Sequence, residues 1–206
     1  MGLLPCIQSG LLSARGGGTD DYRMLQPSHE SRPSADYLAL IATPLRQLNA
    51  IMKRGHRPDL EALCGWEWRG TNLPATSRLL GIRRFIKGFR SLNGTVHGYN
   101  VSVAGTDLDS PWIARLQRDG RREWASFAVT PADRTADGPY RDALLLDSGA
   151  VENPEPGLPR RLRDYLVAVS PGSDEILLGQ AFVVLGRLRV PVGWFVLERL
   201  GRIPAP

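Results

Sequence analysis

Lysine and cysteine are nearly missing from this chain of 206 residues. Lys53 and Lys87 are the only lysines among 26 basic side chains, so arginine outnumbers lysine 24 to 2. A GC-rich coding sequence produces such a bias, and it removes most of the meaning from a net charge of +5 and a pI near 9.7. The 21 acidic residues are interspersed with the bases, and no helix-turn-helix, zinc-finger or RNA-binding signature accompanies the charge, so nucleic acid is not an expected partner. Two cysteines, Cys6 and Cys64, stand in unlike contexts; they exclude a disulfide framework and suit a reducing cytoplasm. No CxxC pair or His/Cys cluster offers a metal site, and no apolar run is long enough to span a membrane. Gly16-Gly17-Gly18 lacks the Lys-Ser/Thr ending of a phosphate loop, and neither a nucleophile elbow nor a His-Glu-x-x-His helix occurs. The sequence therefore implies no cofactor and assigns no catalytic residue.

Residues 1–34 carry the glycine triplet and a Pro27–Pro33 stretch and are expected to be a flexible tail. A myristoylation signal would need Ser or Thr where Cys6 stands. A secretory signal would need a cation ahead of the Leu3–Leu12 run, where the first base is Arg15. Residues 35–203 are large enough for one domain with its own core.

Tyr37, Ile41, Leu45, Leu48 and Met52 recur at helical spacing, and Pro44 either kinks that helix or starts a second one. Pro58 to Cys64 reads as a two-turn helix stopped by Gly65. From Trp66 the period changes to two. Expected strands cover 66–72, 95–103, 112–118, 122–129, 143–147, 163–169, 176–184 and 190–199, with Asn93-Gly94 and Asp119-Gly120 as hairpin turns. Between the first two, Leu79, Ile82, Phe85, Ile86 and Phe89 suggest a helix over 77–90. Eight strands with short connections favour an antiparallel up-and-down barrel, wide enough to hold one small ligand or to be filled by side chains.

A helix leading into Gly65-Trp66-Glu67-Trp68, followed by seven more strands, resembles the lipocalins and the wider calycin barrels. Lipocalins open their first strand with Gly-x-Trp and stack an Arg of the last strand over that Trp. Here the tryptophans stand one and three places after the glycine, and Arg199 is the matching cation. Residues 58–200 are also similar to a group of uncharacterised bacterial proteins. These pair a WRG-type strand with a GIRRFIKGF-type helix and end in RVPVGWFVLER. The resemblance implies a mainly β, eight-stranded lipocalin-like barrel with N-terminal helices and one helix near the mouth. It also implies binding of a small apolar or amphipathic molecule.

On that reading Trp68, His97, Tyr99 and Trp112 line the ligand site, and Trp68 with Arg199 closes the barrel floor. Two other functions stay open. One is a cyclase- or isomerase-like calycin enzyme; the other is a peripheral protein that lays the basic helix 77–90 on anionic lipid through Arg83, Arg84, Lys87 and Arg90. Packing explains the same residues, since paired tryptophans on one strand face are most often core. Nothing in the sequence sets an oligomeric state.

Overall fold

A computed structural model describes residues 32–74, 76–77, 81–117, 120–121, 123–134, 138–151 and 158–204. Three short helices come first: α1 (Ala35–Ile41), α2 (Leu45–Arg54) and α3 (Leu60–Leu63). Ser34 caps α1 by accepting a hydrogen bond from Tyr37 N, and Pro44, in extended backbone, separates α1 from α2. α3 is a single turn rather than two, capped by Asp59. Gly65, at φ 78°, then swings the chain into the first strand.

Ten strands follow: β1 (Trp66–Asn72), β2 (Arg84–Leu92), β3 (Thr95–Ser102), β4 (Leu116–Gln117), β5 (Gly120–Arg121), β6 (Glu123–Pro131), β7 (Leu144–Asp147), β8 (Leu162–Ser170), β9 (Ser173–Leu185) and β10 (Leu188–Arg202). Eight of them close an antiparallel barrel in the order β1-β10-β9-β8-β7-β6-β3-β2. The short β4–β5 pair stands apart as its own two-stranded sheet.

The expected strand count is met by a different set of strands. Residues 84–90, expected in the basic helix, are the first seven of β2, and the stretch expected as a strand over 112–118 contributes nothing to the barrel wall. The physical reason is burial on both faces. Phe85, Lys87 and Phe89 point inward, while Arg84, Ile86 and Gly88 point outward beneath the 103–114 segment, so polar residues do not alternate along the strand. Helical spacing then fits the apolar residues equally well. Near the barrel mouth, Pro74, Thr76 and Ser77 have helical backbone, while Leu79 lies outside the described residues.

Packing divides into three clusters. The barrel interior holds Leu63, Trp68, Phe85, Phe89, Phe127, Leu144, Leu166, Leu177, Phe195 and Leu197. On one outer face, Tyr37, Leu40, Leu48 and Met52 of the helices cover Tyr165, Val167, Leu178 and Val196. On another, Ile86, Tyr99 and Val101 lie beneath Trp112. A latch fixes this last layer: Arg84 donates to the Ser110 carbonyl at 2.6 Å and the Pro111 carbonyl at 2.9 Å, with its guanidinium 3.8 Å from the centre of the Trp112 ring.

The barrel closes where β1 meets β10, with Trp68 paired to Arg199 and Arg69 to Glu198. Arg199 lies 4.9 Å from the Trp68 ring and 4.6 Å from the Trp66 ring, and its Nη1 donates to the Ala62 carbonyl of α3. On the outer side Arg69 Nε is 3.2 Å from Glu198 Oε2, an ion pair not aligned as a hydrogen bond. Glu198 also accepts from Ser34 N, the cap of α1. Tyr37 donates to or accepts from Thr71 at 2.7 Å in the same buried layer, which raises its pKa through burial. Glu198→Gln keeps an acceptor for Ser34 N but removes the carboxylate charge that faces the buried Arg69 guanidinium. It should cost about 3 kcal/mol in urea unfolding, whereas the double variant Arg69→Met/Glu198→Leu should stay within about 1 kcal/mol of the parent or exceed it. Equal losses in both variants would show that the pair is not what holds this part of the seam.

Candidate functional site

β2 and β8 stand opposite each other in the barrel, with three strands between them in either direction. Each sends one ionisable side chain inward. On β2, Lys87 lies between Phe85 and Phe89, both in the interior cluster. On β8, Asp164 pairs with Leu146 and precedes Leu166, both interior residues. The period of two therefore carries the carboxyl inward and Arg163 outward, where Arg163 pairs with Asp147 at 3.0 Å.

Between these walls is a cavity of about 380 Å³, within the range of small-molecule sites. Its lining is mostly apolar, from Ile82, Phe85, Phe127, Leu162, Ala181 and Phe195. Asn72, Thr76, Asn100, Ser102, Trp124 and Ser148 supply neutral polar groups. Lys87 and Asp164 are the lining residues whose charge can change with pH. The cavity lies toward the end of the barrel formed by the C-terminal ends of β1, β3 and β7 and the N-terminal ends of β2, β6 and β8. The other end is filled by Trp68, Phe89 and Phe127 in successive edge-to-face contacts, with ring centres 6.4 and 5.9 Å apart.

The segment after β1 is pinned across the cavity end. Leu73 N donates to the Trp194 carbonyl at 2.9 Å, and Trp194 N donates to Thr76 Oγ1 at 2.7 Å. Asn72 Nδ2 reaches the Ile82 carbonyl. Gly193 makes the approach possible, because a Cβ there would lie 1.7 Å from Thr76 Oγ1.

Lys87 Nζ is ringed by aromatic faces: 4.2 Å from the centre of Phe127, 5.4 Å from Phe195 and 5.7 Å from Phe85. No carboxylate of a described residue lies within ion-pair distance of it. Burial pushes its pKa down to about 8, opposed in part by the charge of Asp164. Burial pushes Asp164 up to about 6, opposed by Lys87 and then Arg163. Asp164 Oδ1 and the Trp124 indole N–H find no hydrogen-bond partner among the described residues. Asn100, beside Lys87 in the strand register, donates its amide to the Ala125 carbonyl at 3.1 Å. That carbonyl belongs to a β6 bulge in which Ala125 takes φ 46°.

The residues expected to line the site are placed elsewhere. Trp68 is fully buried in the barrel floor. His97 and Tyr99 face outward, because β3 turns Asn100 and Ser102 into the cavity and its odd-numbered residues away from it. Tyr99 lies over Gly88 and donates to Glu67 Oε1 at 2.9 Å. Trp112 packs on the outer wall under Arg84. These four residues do not converge, and none of them touches the cavity.

The cations assigned to a membrane-facing helix are likewise dispersed. Arg84 and Lys87 are buried on opposite faces of β2, Arg90 pairs with Glu123 at 2.7 Å, and Arg83 is exposed. A basic amphipathic surface helix is not formed. Among the described residues no helix is long and apolar enough to cross a membrane, and no cluster of His, Cys, Asp or Glu could hold a metal.

Sequence reasoning passed over the Lys87–Asp164 couple, although two signals pointed to it. Lys87 is one of two lysines in an arginine-dominated chain, and Asp164 shares the apolar parity of Leu166 and Ala168.

Both pKa shifts oppose stability at neutral pH. Asp164 holds its proton more tightly folded than unfolded, so its contribution is complete below its ordinary 3.8 and is lost as pH rises through about 6. Lys87 releases its proton more readily when folded; its contribution is complete above 10.5 and is lost as pH falls through about 8. Urea unfolding of Asp164→Asn should therefore gain about 2 to 3 kcal/mol on the parent protein between pH 4 and pH 7. A difference that stays constant over that range would show that Asp164 keeps an ordinary pKa.

Compared with known proteins, the chain matches no family model, no curated protein and no solved structure, so the reading of the site rests on its own chemistry.

Proposed function

We propose that the barrel binds a small, mostly apolar molecule whose polar group sits between Lys87 and Asp164. What carries this reading is one observation. Two opposite charges face a single apolar cavity from opposite walls, and no ion-pair contact between them is present. A fold selected for stability alone gains little from this arrangement, since apolar replacements for buried charge couples commonly leave stability equal or higher. A ligand that accepts from Lys87 Nζ and donates to Asp164 would satisfy both groups, and Phe85, Phe127 and Phe195 would enclose its apolar body. The neutral amides and hydroxyls of Asn72, Asn100, Ser102 and Ser148 suit a hydroxyl, carbonyl or amide better than a strongly anionic group. Asp164 would repel the latter.

The displaced pKa values of the same couple favour a second reading, an isomerase- or cyclase-like activity in which Lys87 and Asp164 exchange protons with a bound substrate. Trp68, His97, Tyr99 and Trp112 then act on the ligand only through the frame they build.

Native mass spectrometry of the freshly purified protein should show a bound small molecule, released and identified after denaturation. Ala181→Phe fills the cavity from its wall and should lower binding of that molecule, or of 1-octanol as a surrogate, at least tenfold with little change in melting temperature. Unchanged affinity in this variant would move the ligand site out of the barrel. For the enzyme reading, Lys87→Met should abolish turnover while keeping at least part of the binding.

A further inference from the structure

We infer that Lys87 captures a carbonyl-bearing ligand covalently, as a reversible imine, with Asp164 acting across the cavity as the proton donor for dehydration. The inference rests on the reading that the cavity admits an apolar small molecule, and it adds the class of compound taken: aldehydes or accessible ketones with an apolar body.

Three features of the structure converge on it. First, Lys87 Nζ is buried among Phe85, Phe127 and Phe195 without a carboxylate in contact; the loss of hydration there outweighs the attraction of the rings for the cation and favours the neutral, nucleophilic amine. Second, an acid stands on the opposite wall, and Lys87 and Asp164 are the lining residues able to change charge with pH. Third, the chain uses arginine 24 times and lysine twice. If the site needed only a fixed cation, the bias of the chain would favour arginine. Of the two cations, only lysine gives up its proton readily enough to serve as an amine nucleophile.

The step balances within these groups. The neutral amine of Lys87 adds to the carbonyl carbon, and the C=O π bond opens. One amine proton passes to the oxygen, giving a carbinolamine. Asp164, protonated, gives its proton to that hydroxyl, the C–O bond breaks, and water leaves. The nitrogen lone pair closes the C=N bond. The product is a protonated imine facing the Asp164 carboxylate, so the charge made on nitrogen is matched by the charge made on oxygen. Hydrolysis runs the same steps in reverse and releases the ligand. No oxidant, reductant or metal is required.

The test uses the full chain, 1-octanal as the reactive probe and 1-octanol as its unreactive counterpart. Borohydride reduction of the octanal mixture at neutral pH, followed by peptide mapping, reads each lysine separately. Lys53 lies exposed on α2 and serves as an internal reference. Burial lowers Lys87 to about 8, so trapping at Lys87 should exceed that at the solvated Lys53 at least about tenfold. Excess 1-octanol should suppress it. Lys87→Met should lose the adduct altogether, while weakening 1-octanol binding only in part and keeping a cooperative melt. Asp164→Asn should slow trapping about tenfold more than it weakens 1-octanol binding, a split that a purely structural role for Asp164 would not produce.

If 1-octanol binds but Lys87 is trapped no faster than Lys53, the imine is overturned and the binding reading stands. If neither compound enters the barrel, as judged by native mass spectrometry and by the absence of protection, the binding reading falls and this inference falls with it.

Discussion

The interior of this protein exists because the first strand of the barrel hydrogen-bonds to the last. Every other neighbour in the ring is adjacent in sequence among the wall strands and is joined by a local connection; the β1–β10 seam alone must bring together residues more than a hundred positions apart. It is reinforced on both faces. Inside, Arg199 lies against Trp66 and Trp68 and ties them to α3 through the Ala62 carbonyl. Outside, Arg69 and Glu198 pair beneath α1, and Glu198 takes the backbone N–H of Ser34. The helices ahead of the barrel are thus fastened to its closing seam rather than appended to it.

Closure also decides what chemistry the interior permits. A wall completed on all sides, with Trp68, Phe89 and Phe127 plugging one end, leaves Lys87 and Asp164 facing a mostly apolar cavity. Low polarity there makes each charge costly, draws the two pKa values toward neutrality and strengthens the influence of each group on a bound molecule. The same side chains would be an unremarkable cation and anion on a solvated sheet. The outer latch of Arg84 on Trp112 contributes indirectly, since it buries the back of β2 and fixes the strand from which Lys87 projects.

Much of the architecture was legible in the chain. Alternation over 163–169 and 66–72, the Asn93-Gly94 turn with both residues at positive φ, and the break at Pro44 all correspond to observed features. The count of eight wall strands was reached with one substitution, β2 in place of the stretch around Trp112. That substitution has consequences for the site. A helix over 84–90 would make Lys87 a surface cation, and on β3 the apolar Val101 shares its face with His97 and Tyr99, which gives that face an interior look in the sequence. In the folded chain Tyr99 and Val101 pack outward with Trp112, while the more polar set of Asn100 and Ser102 faces the cavity.

The sequence by itself determined the class of fold, the strand periods and most of the turns, because these follow from local backbone preference and from alternation of side chains along a strand. It did not determine which face of β2 and β3 is interior. Alternation identifies a buried face only when the other meets solvent, and here the segment that follows β3 folds back and buries the second face as well. Only the tertiary structure, by closing β1 on β10 and laying Trp112 over the outer wall, turned Lys87 and Asp164 toward one another across a single cavity.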